Sequence, residues 1–324
     1  MSEAPLLNAP LLSAPLLSAL DMARFVAKGY LRFDAVVPDE INAQFLAEMG
    51  EAGDPVPGQR VMRAFGDLLR QAQVPEVAAG TPLASTYPQG SAIARLLDLP
   101  LVKGAIQSLV GPDPMFDHHF LHVTFPPAYH DAAGGENVSQ HTHQDSTIDP
   151  SEGFDLQIMY YPHKVTRPMG GTRFVPGTHL RKVSEVALGR YQNIAGQQHM
   201  VCEAGTLLFL HNGIWHGGGV NLSDRTRTMF KIRMNPSVRQ TRLWDMQSWS
   251  RAEVQRPIFY VKTPQAETVE SILMTPEPWF EQDTGRLEFV NRVKLWRHLS
   301  GDDNYDADYW LTRLENPARA AAHA

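Results

Sequence analysis

The sequence predicts a mainly β core wrapped by helices, an α+β protein built round a sandwich or barrel. Three observations carry that expectation. Apolar residues recur at helical spacing early in the chain and again after residue 240. Between these stretches, from Met115, the pattern changes to short alternating runs broken by Gly, Pro and Asn. No proline- or serine-rich linker divides the 324 residues, so residues 18–324 are expected to form one domain.

An arm precedes that domain. Ala4-Pro-Leu-Leu-Asn, Ala9-Pro-Leu-Leu-Ser and Ala14-Pro-Leu-Leu-Ser repeat one unit, and its proline blocks a continuous helix. Glu3 stands where a signal peptide would need a basic start. Residues 1–17 are therefore read as a flexible, extended arm, either an inert tail or a segment packing on a neighbouring subunit; a homo-oligomer is left open.

Each element has its own signal. Ser18 or Asp21 caps a helix that Gly29 ends, and Tyr30-Leu-Arg-Phe33 reads as a strand. Pro38 opens a helix with Ile41, Phe45, Leu46 and Met49 on one face, and Pro100 opens another that Gly111 closes. A strand runs from Met115 to the Pro126-Pro127 stop, and residues 128–138 look like an exposed loop. Further strands are expected near 140–144, 155–161, 172–175, 199–202, 205–210 and 226–235. Leu287, Val290, Val293, Leu295, Trp296 and Leu299 mark a late helix before Gly301.

Composition narrows the partners. Lys and Arg are scattered and the formal charge is −6, which leaves no nucleic-acid footprint. No apolar run reaches the roughly 18–20 residues of a membrane span. The single cysteine, Cys202, excludes an intrachain disulfide and fits a reducing, cytoplasmic setting as a buried, inert thiol.

The chemistry concentrates in His143-Gln-Asp145, His216 and Arg227. Side chains two apart on a strand share a face, so His143 and Asp145 can converge on one ion while His216 arrives from a facing strand. Two imidazoles and a carboxylate on one face of a metal leave positions open, the arrangement of non-haem Fe(II) oxygenases. Arg227, eleven residues beyond His216, supplies a fork for the far carboxylate of a keto-acid cosubstrate.

In these residues the chain resembles the phytanoyl-CoA dioxygenase family of Fe(II)/2-oxoglutarate oxygenases. His143-Gln-Asp145 matches that family's His-Gln-Asp, and Gly170-Gly-Thr-Arg-Phe-Val-Pro-Gly-Thr-His179 is similar to its Asn-Gly…Pro-Gly-Ser/Thr-His segment. His216-Gly-Gly-Gly-Val-Asn221-Leu-Ser223-Asp-Arg-Thr-Arg227 looks like its distal signature. The likeness covers roughly residues 18–236. It implies a double-stranded β-helix, the cupin-like jelly roll, with iron ligands His143, Asp145 and His216 and with Arg227 on the 2-oxoglutarate C5 carboxylate. It further implies an O2-dependent hydroxylation of an unactivated C–H in a small metabolite or acyl-type substrate, with release of succinate and CO2. Related halogenases carry a small residue in place of the carboxylate; Asp145 favours hydroxylation here. Two positions depart from the family: Gly218 stands where many members have serine, and Met169 where they have asparagine.

The neighbours of these residues are weighed one by one. Of Met159 and Tyr160, one is expected beside the cosubstrate. His141 shares the expected His143 face and is a candidate substrate contact, as are Arg173 and His122; Gln140 and Thr142 would face away. Lys231 and Arg233, on the Arg227 face of their strand, are read as solvent-facing as readily as inward. His118, His119 and His122 lie on one strand, with at least one expected to reach the cavity. His179 reads as a turn residue and Trp215 as packing beside His216. The five tryptophans Trp244, Trp249, Trp279, Trp296 and Trp310 suit a core, a lid or an interface. A second enzyme reading is a cupin-type dioxygenase using His141 and His143 with His216; a third is a non-enzymatic, metal-stabilised cupin-fold binding protein.

Overall fold

The computed structural model describes residues 15–145, 149–150, 153–181, 183–189, 193–249, 267–278 and 285–305. Helix α1 (Ala19–Lys28) opens on a reciprocal cap: Ser18 Oγ accepts from the Asp21 N–H while the Asp21 carboxylate accepts from the Ser18 N–H. Left-handed Gly29 ends it. Strand β1 (Tyr30–Phe33) follows, then helices α2 (Asp39–Met49), α3 (Val61–Gln71), α4 (Ala92–Leu97) and α5 (Pro100–Val110). The middle of the chain holds β2 (Met115–Thr124), α6 (Pro127–Ala133), β3 (Leu156–Tyr161), β4 (Thr172–Val175) and α7 (Glu185–Leu188). It continues with β5 (Gln198–His199), β6 (Thr206–His211), β7 (Trp215–Gly218) and β8 (Arg227–Asn235). Helices α8 (Val269–Met274) and α9 (Gly285–Ser300) close it.

The strands form two antiparallel sheets in a mixed α/β fold. The larger has the order β1-β6-β3-β8-β2 and the smaller β5-β4-β7. Because successive strand residues face opposite ways, each strand of the large sheet divides its side chains between two cores. Leu156, Ile158, Tyr160, Leu207, Phe209, Phe230 and Ile232 pack with Phe25, Phe45 and Leu109 of the helices. Met159, Tyr161, Leu208, Leu210 and Met229 face the other way and pack with Phe174 of the small sheet. Residues whose polar ends reach the candidate site share this second face, between the sheets.

The Gly170-Gly171 turn makes that close approach of backbones possible. A Cβ on Gly170, whose φ is +64°, would lie 2.0 Å from the Val220 carbonyl oxygen, and one on Gly171 would lie 2.0 Å from that of Met200.

Several expectations change. Pro127 starts a helix rather than a loop, its fixed φ suiting the first turn. Residues 140–144 form no strand; only His143 bridges, to His216. The 199–202 strand reduces to β5, with Cys202 bridged singly to Val165. Helices α3 and α4 and strand β7 add to the expected set. Leu287 is exposed on α9 while Val290, Val293, Leu295, Trp296 and Leu299 are buried. The arm is anchored earlier than residue 18: Leu17 is buried, and its N–H donates to Ser108 Oγ on α5 at 2.9 Å. Residues 1–14 lie outside the described residues. Trp244, Trp249 and Trp296 pack as a core cluster with Tyr305; Trp279 and Trp310 lie outside the described residues. Among the described residues, no helix is long and apolar enough to cross a membrane.

Candidate metal centre

His143 and His216 are locked together by their backbones. The His143 N–H donates to the His216 carbonyl at 2.9 Å, and the His216 N–H donates to the His143 carbonyl at 3.0 Å. The Asp145 N–H donates to Asn212 O at 3.1 Å, and Gln144 Nε2 donates to the carbonyls of Arg181 and Gly213 at 2.7 and 2.9 Å. One turn thus carries two candidate ligands, and β7 carries the third.

The rings are oriented as metal ligands require. His143 Nδ1 lies 2.9 Å from the His141 carbonyl and His216 Nδ1 3.0 Å from that of Ile214. With those nitrogens donating, both Nε2 lone pairs are left free. His143 Nε2 lies 3.4 Å from Asp145 Oδ1 and His216 Nε2 3.6 Å from Oδ2. The donor atoms of His143, Asp145 and His216 all fall within 4.8 Å of one another. Ligands at about 2 Å from a shared ion, as Zn–N and Zn–O bonds illustrate, would span such gaps.

The electrostatics suit a cation. Burial alone would raise the Asp145 carboxyl, but His143, His216 and Lys231 outweigh it and hold it well below the usual carboxylate range. Burial lowers His216 to about 4, against the pull of Asp145, so its ring is neutral and available near neutral pH. For His143 burial is outweighed by Asp145 and the His141 carbonyl, and the ring titrates above its ordinary value. A metal must displace that proton.

Arg227 completes the cavity. It is 3% exposed, and Nη2 donates to Thr124 Oγ1 at 2.5 Å across the β2–β8 register. Its Nε and Nη1 are buried without a hydrogen-bond partner among the described residues. Burial lowers its pKa, and with two donors unspent this guanidinium lacks an anion among the described residues. The cavity is lined by His122, Gln140, Met159, Thr172, Gly218 and Lys231 beside His143, His216 and Arg227.

The neighbours sort themselves by strand parity. Met159 lines the cavity, whereas Tyr160 turns to the helical core and donates to Asn42 Oδ1 at 2.6 Å. His122 reaches the cavity, its pKa lowered to about 3 by burial and then by Lys231 and Arg227. His119 instead lies 3.0 Å from Tyr87 Oη, and half-buried His118 lies 3.5 Å from Asp117. Arg173 donates to the Gln140 carbonyl at 2.6 Å, so it braces the segment leading to His143. His141 is exposed and outside the three-ligand cluster; Asp145 takes the place that a cupin reading gives it. Gln140, expected to face away, lines the cavity because its segment is not a strand. His179 is buried under Gly29, and Trp215 packs with Val175 and Leu188.

Lys231 and Arg233 both point inward, which removes the solvent-facing reading. Lys231 Nζ lies 3.5 Å from Asp145 Oδ2, while Arg233 pairs with Asp155 at 2.7 Å and donates to the Asp145 carbonyl at 3.1 Å. Gln157, absent from the sequence-based set, donates to Asp145 Oδ2 at 2.5 Å. Its signal was available as a lone polar residue inside the apolar run Leu156–Tyr161. Thr124 had no such signal, since its role depends on pairing with β8.

Two imidazole nitrogens and a carboxylate beside an open cavity form the donor set of the two-histidine, one-carboxylate oxygenases. The chain belongs to the phytanoyl-CoA dioxygenase (PhyH) family of Fe(II)/2-oxoglutarate oxygenases, whose model matches residues 25–229. Comparison with curated proteins finds no match. Among solved structures the chain is similar to the non-heme monooxygenase ThoJ in its nickel complex, at 21% identity and a TM-score of 0.46, covering 67% of this chain and 77% of that one. It is similar to the non-heme alpha ketoglutarate dependent epimerase SnoN from nogalamycin biosynthesis, at 18% and 0.45, covering 68% and 83%. It is also similar to iron-bound HygX from Streptomyces hygroscopicus, at 13% and 0.44, covering 69% and 88%. These likenesses are loose, and membership rests on the family match.

Proposed function

We propose that this chain is an Fe(II)/2-oxoglutarate-dependent dioxygenase that hydroxylates an unactivated C–H of a small metabolite or acyl-type substrate in the cytoplasm. His143, Asp145 and His216 hold the iron, and Arg227 holds the distal carboxylate of 2-oxoglutarate. Residues 18–324 act as one oxygenase domain, and the two antiparallel sheets are the halves of a double-stranded β-helix. The observation that carries the reading is Arg227, a buried guanidinium with two unspent donors lining the same cavity as His143 and His216.

Iron and 2-oxoglutarate, when bound, supply the oxidation: O2 is reduced as the keto acid loses CO2 to become succinate, and a substrate C–H becomes C–OH. The chain's own residues bind, orient and exclude water. The carbonyls of His141 and Ile214 fix the tautomers of the two histidines, and Gln157 fixes the Asp145 rotamer. Thr124 aims the Arg227 fork. Met159 and Met229 give the cavity apolar walls, which strengthen the charged contacts within it.

The test is an anaerobic titration with Fe(II) and 2-oxoglutarate, followed by the weak visible charge-transfer band of the chelate. The band is expected with wild type and lost in His216→Ala and Arg227→Ala. Its absence with the wild-type protein would sink the assignment.

A further inference from the structure

We propose that Lys231 is the cavity's second anion-binding group, and that once a metal is held by the triad it takes the carboxylate of an organic acid. The inference rests on the reading above. Lys231 follows Arg227 by four positions on β8, so both face the cavity, about 13 Å apart along the strand. Its side chain is 11% exposed, and its ammonium lies 3.5 Å from Asp145 Oδ2. Among the described residues, Asp145 is the only carboxylate within ion-pair distance of it. The nearby acids are spoken for: Asp155 and Asp117 lie 2.7 and 3.0 Å from Arg233, and Asp117 is 3.5 Å from His118.

A divalent ion on Asp145 changes that balance. The carboxylate's charge is then committed to the metal, and two further positive charges sit near the ammonium. A largely buried ammonium without an anion is costly, so the loaded site is short of negative charge at its Lys231 end. Arg227 leaves the opposite end short in the same way.

The surroundings of Lys231 describe the rest of the ligand. Its cross-strand partner is Phe120, which is 47% exposed. Phe120 stacks on Phe65 of α3 with ring centroids 6.2 Å apart and lies 4.6 Å from the His122 ring. An exposed Phe120, backed by half-buried Phe65, beside a largely buried cation suits a carboxylic acid with a planar or ring-bearing apolar body. That carboxylate can belong to the substrate or to the metal-bound end of 2-oxoglutarate, and the two sources separate experimentally.

The experiment uses anaerobic protein loaded with Co(II), whose visible absorption reports changes at the metal, together with calorimetry. 2-Oxoglutarate is titrated first, then phenylacetate or its neutral counterpart phenylacetamide. Wild type, Lys231→Met and Lys231→Arg are compared. Expected is phenylacetate binding at least tenfold tighter than the amide in wild type. That preference should vanish in Lys231→Met and return in Lys231→Arg, with 2-oxoglutarate affinity changed less than twofold. A tenfold loss of 2-oxoglutarate affinity in Lys231→Met, reversed in Lys231→Arg, assigns the carboxylate to the cosubstrate and upholds the anion-binding role. The inference is overturned if neither acid depends on Lys231. A missing response to 2-oxoglutarate in wild type appears before any phenylacetate is added and removes the underlying reading instead.

Discussion

Replacing Gly218 with serine should tighten 2-oxoglutarate binding about tenfold, equivalent to roughly 1.4 kcal/mol, without destabilising the fold. A Cβ at this position meets Gln140 Oε1 at 3.5 Å, Gln140 Cβ at 3.7 Å and Arg227 Nη2 at 3.9 Å, all ordinary contact distances. Gly218 is absent from the glycines with positive φ, so a side chain brings no backbone strain. The hydroxyl then reaches the space where Arg227 would hold a carboxylate. A hydrogen bond to a charged group contributes about 1.5–3 kcal/mol. Part is lost here, because Gln140 Oε1, which accepts from the Gly218 N–H at 2.9 Å, competes for the same hydroxyl. The adjacent residue is the control. A Cβ on Gly217 would lie 2.9 Å from the His141 carbonyl oxygen and 3.1 Å from that of Gln140, so Gly217→Ser should push the His143 segment outward and weaken metal binding. The assay is calorimetric titration of 2-oxoglutarate into anaerobic, Mn(II)-loaded protein, with melting temperature as a check on folding. A folded, loaded Gly218→Ser protein that binds no tighter than wild type refutes the reasoning. So does a gain that persists in an Arg227→Met background.

Three other outcomes follow from particular contacts. Tyr160→Phe should cost about 1–3 kcal/mol in urea unfolding, because Asn42 Oδ1 loses its donor in the core, while 2-oxoglutarate affinity stays at the wild-type value. A change in affinity would return Tyr160 to the cavity. Burial, followed by Arg292, lowers His179 to about 3 from an ordinary 6.5, so the fold holds the neutral ring and the unfolded chain protonates first. Its contribution is complete above pH 6.5 and is lost as pH falls towards 3, about 2 kcal/mol of it between pH 7 and 5. Urea unfolding without added metal, repeated across that interval, checks this, and a flat profile contradicts it. Gly104→Ala would set a Cβ 1.8 Å from the Pro15 carbonyl oxygen. Residues 15–17 should lift from α5, seen as faster amide exchange at Leu17, whose bond to Ser108 is broken; unchanged exchange refutes the contact.

Much of the chemistry was legible in one dimension because the chemistry itself dictates residue types. His143, Asp145 and His216 are recognisable by kind and order, and their donor atoms do converge. Helix ends were legible for a local reason: Ser18, Gly29 and Pro100 act on backbone groups within a few residues of themselves. Strand 172–175 and the β8 region were equally local, set by alternation between turn signals.

What the linear chain left open depends on which residue lies across from which. Tyr160 and Met159 are adjacent and chemically plausible alike; the β3 register sends one to Asn42 and the other to the cavity. Lys231 looked as fit for water as for the interior until the fold brought Asp145 to 3.5 Å from it. Thr124 acquires its role only by pairing with β8, a partner distant in sequence. Residue identity and short-range backbone geometry are properties of the chain, whereas cross-strand register and the burial of charge are settled only when distant segments compete for the same space and the same hydrogen bonds.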